Sequence, residues 1–314
     1  MYLNAQLISR LKNKLEQLNQ SRPLPATAVK KLREHFEIEM TYNSNGIEGN
    51  SLTLKETFLV IKEGITIKGK PLKDHLEATN HKEALEYLYD IADHEKKSTI
   101  SEHLIKNLHQ LVTQNIEKEW AGKYRTAPVI IGGAKHRPPD SLEVPHLMMA
   151  LIKWLQKNQK KLHPVEIAAL LHHKFVHIHP FFDGNGRTAR LLMNLYLLMN
   201  GYPLVIILKN DRKKYYRVLQ EADDGKFEEY VRFIAESVDR SLTIYLEAIS
   251  PTKKNNQEKY IKLAEASKIC RYSAKYLNLL ARKGKLEAHK IGRDWVTTKK
   301  AIKKYLENRE RNRN

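Results

Sequence analysis

Apolar residues recur at the helical period along most of this chain, and little in it would interrupt a helix. Among 314 residues there are 13 Gly and 11 Pro, and alternating β-branched runs are rare. That pattern predicts a mainly α fold. Thr27–Tyr42 reads as one helix, with Val29, Leu32, Phe36, Ile38 and Met40 supplying most of its apolar surface. Thr53-Leu54-Lys55-Glu56 is a capping box, in which a Thr at the N-cap and a Glu three residues on satisfy orphan amides reciprocally, so another helix opens there. Further helices are expected at His75–Ala92, Ser101–Ile116, Val144–Asn158, Pro164–His177, Thr188–Asn200, Arg212–Asp223 and Phe227–Ile249. Ala127–Gly133 breaks the pattern. It is β-branched, closes on a Gly pair, and reads as a short β-hairpin ended by Pro138-Pro139.

Charge divides the chain unevenly. Residues 251–314 hold 19 Lys/Arg against 6 Asp/Glu, which is most of the net charge of +19. Such a block attracts polyanions, or serves as a solvated tail. No apolar run approaches the ~18–20 residues that span a bilayer, so no membrane partner is expected. Met1–Gln20 is polar and lacks the regions of a secretory signal, and the single cysteine, Cys270, allows no internal disulfide. The expected setting is cytoplasmic and reducing.

One segment gathers groups that do chemistry: His179-Pro-Phe-Phe-Asp-Gly-Asn-Gly-Arg-Thr-Ala-Arg190. A histidine can take a proton near neutral pH. Two glycines, Gly184 and Gly186, let backbone approach a ligand closely just where a helix begins, and helix N-terminal amides bind anions. Arg187 and Arg190 are three residues apart, so both can reach that anion from the first turns. Asp183 is a hard oxygen ligand suited to Mg²⁺ or Mn²⁺. Together they describe a metal–polyphosphate site beside a general base. His177 and His179 also form a His-x-His pair, but no third metal ligand is suggested in the sequence.

The segment resembles the motif of the Fic family, His-Pro-Phe-x-(Asp/Glu)-Gly-Asn-Gly-Arg-x-x-Arg, at every defined position. The resemblance, which covers roughly Thr27–Ser250, implies a protein adenylyltransferase that moves AMP from ATP to a protein Ser, Thr or Tyr hydroxyl. It implies catalytic roles for His179 as base, Asp183 as metal ligand and Arg187 at the β-phosphate. Gly184, the Asn185 side chain and Gly186 would cradle the phosphates, Arg190 would hold the γ-phosphate, and Phe181 would pack into the core and fix the loop. Asn194, Tyr215 and Tyr216 match positions near the nucleotide. Asp223 stands where metazoan members carry Asn near the adenine. A carboxylate still accepts from an amino group, which keeps ATP as the expected nucleotide. Val129, Ile130, Ile131, Gly132 and Gly133 would form the flap that pairs with the target backbone, between the family-like Gly122–Arg125 and His136–Pro139.

Ser44-Asn-Gly-Ile-Glu48-Gly49-Asn50 resembles the family's N-terminal inhibitory motif. It implies that Glu48 pairs with Arg190, takes the γ-phosphate's partner, and leaves ATP only an unreactive pose. In the family the same Glu lets some members also remove AMP. Family members often self-associate, so a homodimer is a further expectation.

The basic end is similar to winged helix-turn-helix modules of the excisionase or MerR-like type. Helices are expected at Lys259–Ile269, Ser273–Arg282 and Thr298–Leu306, with a β-wing over Gly284–Val296 that turns at Gly292 and is anchored by Trp295. Arg271, Lys275, Arg282 and Lys283 could meet DNA phosphates, or the module could dock protein. The expected organisation is residues 1–95 as an N-terminal helical region with the inhibitory motif, 96–250 as the catalytic core, 251–258 as a linker and 259–314 as the winged module. Two functions stand side by side. One is an auto-inhibited adenylyltransferase acting on a protein target, itself included. The other is a DNA-binding regulator whose Fic domain senses or modifies its own chain.

Overall fold

The computed structural model describes residues 2–94, 100–249, 260–291 and 294–311. The expected linker at 251–258 lies outside these residues. The chain forms two compact units, Met1–Ser250 and Pro251–Asn314.

Among the described residues, ten α-helices build the first unit: α1 (Ala5–Gln20), α2 (Ala26–Ile47), α3 (Leu54–Glu63), α4 (Leu72–His94), α5 (Glu102–Thr113), α6 (Val144–Asn158), α7 (Pro164–Ile178), α8 (Asn185–Met199), α9 (Arg212–Asp223) and α10 (Phe227–Ile249). One core, running from Leu3 to Leu242, joins all of them but α3, whose Val60 and Ile61 pack in a smaller cluster with Leu52 and Ala78, so the N-terminal helices and the helices after residue 100 bury the same apolar surface. Each fully buried Leu or Ile there contributes about 1.5–3 kcal/mol. The longest apolar stretch, α8, sits at the centre with Leu191, Leu192, Leu195 and Leu197 wholly buried. It packs against α7, α4 and α5.

The helix α1 was not expected from the polar Met1–Gln20. Asn4 caps it, its side chain accepting from the Leu7 amide at 2.8 Å. Leu7, Leu11 and Leu18 form a narrow buried stripe facing α10, and Lys14 bonds Asp239 across that seam at 2.8 Å. Few apolar residues are needed when the stripe is this narrow, which is why composition hides it.

The helix α2 runs one turn past its expected end at Tyr42, through Asn43-Ser-Asn-Gly46. Those residues are poor helix formers. Tertiary bonds hold them: the Asn43 side chain accepts from the Lys209 amide at 2.8 Å, and Asn45 donates to the Glu77 carbonyl at 3.2 Å. The Thr53–Glu56 capping box forms as predicted.

The segment Ala127–Gly133 is neither a strand nor a hairpin. It is an open run that ends in a turn, Ala134 N–H donating to the Ile131 carbonyl at 3.2 Å, with Gly133 at φ 78°. A hairpin needs a second strand. Here Pro138 and Pro139 have no N–H to give, and His136 and Pro139 are tied elsewhere, the former to the His177 carbonyl and the latter to Arg125. Ile130 is left 80% exposed.

The second unit contains β1 (Ile261–Lys262), α11 (Leu263–Ala266), α12 (Ala274–Arg282), β2 (Ala288–Ile291), β3 (Asp294–Thr297) and α13 (Lys299–Arg311). Its three strands are antiparallel in the order β1-β3-β2, with Ile261 opposite Thr297 and His289 opposite Val296. The expected helix from Lys259 to Ile269 is therefore a strand followed by one helical turn, because Ile261 pairs with the wing instead of starting a helix. The helix pair, wing and closing helix enclose Leu263, Leu277, Leu280, Leu286 and Ile302, and Trp295 packs against that cluster. The turn at Gly292 lies outside the described residues.

Candidate active site

The catalytic-type segment links the end of α7 to the start of α8. The first helix ends at His179, which adopts left-handed backbone, φ 50° and ψ 60°. A residue with a Cβ pays roughly 1–2 kcal/mol for that conformation, so neighbours must impose it. Arg125, wholly buried, does so. Its Nε donates to the His179 carbonyl at 2.8 Å, and its backbone N–H donates to the Pro180 carbonyl at 2.9 Å. Its other nitrogens hold the carbonyls of Ala127 and Pro139, the two ends of the loop described above.

Phe181 is fully buried and stacks on His109, with ring centroids 3.6 Å apart. His109 in turn accepts from Gly122 N–H and bonds the Asp183 carbonyl at 2.9 Å. The Asn185 side chain was expected among the phosphate contacts. It is spent instead on backbone, accepting from Phe181 N–H at 3.0 Å and donating to the Phe181 carbonyl at 2.8 Å. Gly184, at φ 75°, begins α8 with no side-chain cap, so first-turn amides stay available to an anion. A Cβ on Gly184 would strike Thr113, and one on Gly186 would strike the Glu48 carboxylate.

That carboxylate comes from the C-cap of α2. Glu48 Oε1 lies 2.8 Å from Arg190 Nη2, and Ser44 holds the same guanidinium through Oγ at 3.0 Å and its carbonyl at 2.9 Å. The Arg190 side chain is 1% exposed and that of Glu48 30%. Burial would lower the Arg190 pKa, but the charge and hydrogen bond of Glu48, together with Tyr215 and Tyr216, raise it. Glu48 thus lies against Gly186 in the first turn of α8 and holds the arginine expected to meet phosphate.

Arg187 is likewise engaged. It lies between Asp183 at 3.2 Å and Glu77 of α4 at 3.1 Å. Glu77 went unnoticed in the sequence because nothing in a helical spacing marks which of the carboxylates of α4 is buried against the site. The Asp183 side chain is 42% exposed at the mouth of the site. Burial would raise its pKa, but Arg187, the Gly184 amide and Lys73 hold it below the usual carboxylate range.

His179 has the chemistry to accept a proton. Burial pushes its pKa down to about 4, so the ring is neutral at pH 7. Nδ1 donates to the Val176 carbonyl at 3.3 Å, which leaves the Nε2 lone pair free to accept.

The expected nucleotide contacts separate on inspection. Tyr216 is 40% exposed and stacks under Arg212. Tyr215 is buried, its hydroxyl 3.0 Å from His172, so it supports the floor and cannot line the cleft. Asn194 is also buried and staples α8 to the Val205 backbone through two bonds, at 2.6 and 2.9 Å. Asp223 Oδ1 bonds His173 at 3.0 Å and His177 at 3.1 Å. Burial would raise its pKa, but those bonds hold it well below the usual range.

A model of the Fic/DOC family matches residues 99–197, and one of a helix-turn-helix domain matches residues 260–310. The chain is similar to the protein adenylyltransferase Fic of Aedes aegypti, 38% identical over 254 residues, covering 78% of this chain and 50% of that protein. It thus spans about half the length of the curated relatives it matches. A Fic domain containing signaling protein from Bacteroides thetaiotaomicron is 29% identical with a TM-score of 0.72, over 79% of this chain and 99% of that one. Fic-1 of C. elegans, residues 134–508, is 30% identical with a TM-score of 0.70, over 78% of this chain and 73% of that one. Among the described residues no helix is long and apolar enough to cross a membrane.

Proposed function

The chain belongs to the Fic/DOC family, and we propose that it is an auto-inhibited protein adenylyltransferase that moves AMP from ATP to a hydroxyl of a protein. The observation that carries this reading is the pairing of Glu48 with Arg190 directly over Gly186. An inhibitory carboxylate on the anion position is meaningful only if an anion is meant to bind there.

In the released state, Arg190 and Arg187 take the γ- and β-phosphates, and the first amides of α8 support the same chain of charge. His179 Nε2 removes the proton from the target hydroxyl. The resulting oxygen bonds to the α-phosphorus, the bond from that phosphorus to the α–β bridging oxygen breaks, and pyrophosphate leaves. Positioning and charge stabilisation supply most of the catalysis. The lone, half-exposed carboxylate of Asp183 at the mouth fits Mg²⁺ or Mn²⁺, which bind through one or two carboxylates together with phosphates. Such an ion supplies neutralisation of phosphate charge when bound. The open run Val129–Gly133, which joins no strand among the described residues, is where a target strand would add. Glu48 could also orient water toward an AMP–protein ester, which makes removal of AMP a second activity of the same site. The single thiol suits a cytoplasmic protein.

A second reading follows from the helix-turn-helix domain: DNA binding that brings the transferase to a promoter, or that the transferase regulates by modifying its own chain. Arg271, Lys275, Arg282 and Lys283 are all exposed on that unit.

The test is transfer of label from ATP labelled at its α-phosphate to lysate proteins or to the chain itself. Glu48→Gly should label strongly, the wild type weakly, and Glu48→Gly with His179→Ala not at all. Equal labelling by wild type and Glu48→Gly would remove auto-inhibition from the account.

A further inference from the structure

Three side chains distant in sequence meet beside the cleft. His136 comes from the loop after the Gly pair, His177 from the last turn of α7, and Asp223 from the last residue of α9. One ligand atom from each lies within 4.8 Å of the other two, and all three are half-buried. We propose that His136, His177 and Asp223 bind a divalent transition-metal ion of the Zn²⁺ class, separate from the ion at Asp183. The site does not rest on the transfer reaction.

Several features favour an ion over a chance cluster. Two imidazoles and one carboxylate are the donor set of open zinc sites, which take three protein ligands and leave a fourth position to solvent. The supporting bonds are already in place. His136 Nε2–H donates to the His177 carbonyl at 2.8 Å, which leaves Nδ1 as the nitrogen with a lone pair for a metal. His173, almost wholly buried, bonds Asp223 Oδ1 at 3.0 Å and orients that carboxylate from behind. The Asp223 oxygen and His177 Nδ1 are 3.1 Å apart, close to the roughly 3.3 Å between two ligands of a tetrahedral ion with bonds of about 2.0–2.1 Å. Only His136 must close in, and it sits on a loop. The His136 and His177 rings already lie face to face, 3.8 Å between centroids.

An ion here would clamp the loop 127–139 to the ends of α7 and α9, beside His179. The experiment uses the full chain, stripped with chelator and desalted, in buffer without nucleotide. Zinc binding is measured by calorimetry for wild type, His136→Ala, Asp223→Asn and, as a control, His146→Ala on the exposed face of α6. Trypsin cleavage after the exposed Lys135 is followed with and without zinc, using other cleavage sites as internal reference. The expected result is one zinc site in the wild type and in His146→Ala, weakened roughly tenfold or more in the other two variants. Zinc should slow cleavage after Lys135 only in the two proteins that keep the site. Near 100-fold excess of free zinc over Kd, the melting temperature should rise by about 5 °C. Equal zinc binding by His136→Ala, Asp223→Asn and wild type would overturn the proposal, as would zinc that leaves cleavage after Lys135 unchanged.

Discussion

Replacing Glu48 by Gly should sharpen the protein's preference for ATP over ADP. In the structure the Glu48 carboxylate makes a charge-assisted bond to Arg190 at 2.8 Å. Such bonds to charged groups are worth about 1.5–3 kcal/mol, which corresponds to roughly 10- to 150-fold in an equilibrium constant. A γ-phosphate must displace that carboxylate to reach Arg190; a β-phosphate at Arg187 need not. Arg190 stays in place in the variant because both Ser44 bonds remain. Affinity for a non-hydrolysable ATP analogue, measured by calorimetry, should therefore rise roughly 10- to 150-fold in Glu48→Gly, while affinity for ADP changes little. Glu48→Gln, which keeps bulk over Gly186 and loses the charge, should fall between. Breaking a buried pair costs about 3–5 kcal/mol, but Glu48 is partly exposed, so the stability loss should be nearer 1–3 kcal/mol. The reasoning fails if ADP gains as much as the ATP analogue, or if neither gains.

Other consequences follow from the same geometry. Phe181→Ala removes a wholly buried ring and its stacking on His109, at a cost of about 3–5 kcal/mol, or a melting temperature lower by about 10 °C; an unchanged melting curve would show that the loop does not depend on it. Burial and the neighbouring arginines push His81 down to about 3, and burial pushes His172 well down. Both fold as neutral rings, so their stabilisation is complete above the unfolded value near 6.5 and is lost as pH falls below it. Urea unfolding at pH 5 should show about 1.6 kcal/mol less stability than at pH 6.5 from His81 alone, and a flat profile would contradict the assignment. For the basic unit, Lys275→Ala with Arg282→Ala should weaken binding of the full chain to duplex DNA. The change should be similar across sequences and should reduce the salt slope by about 2; an unchanged slope would point to protein docking instead.

The bounds of α6, α9 and α10 were legible because apolar residues recur at the helical period along each, with Pro145 in the first turn of α6 and Gly225 just past α9. The roles of single polar residues were not. Asn185 and Asn194 look like ligand contacts by type and place, yet both are consumed by backbone amides that only the folded chain brings near. Tyr215 and Tyr216 are adjacent, and the helical turn buries one and exposes the other. Glu77 and Arg125 shape the site from distant helices and loops, and pairing across such separations leaves no local pattern. The hairpin expectation failed for a simple reason: β-branched residues mark extended backbone, and only a partner makes a strand. The Ser44–Glu48 motif was readable as a pattern, but its placement over Gly186 depends on a helix turn that propensity alone argues against.

The central claim is adenylyl transfer with His179 as the base. It is tested most directly by incubating Glu48→Gly side by side with ATP labelled at the α-phosphate and ATP labelled at the γ-phosphate. The account predicts that protein acquires the α-label only, and that His179→Ala abolishes it. Acquisition of the γ-label, or α-labelling that survives His179→Ala, would contradict it.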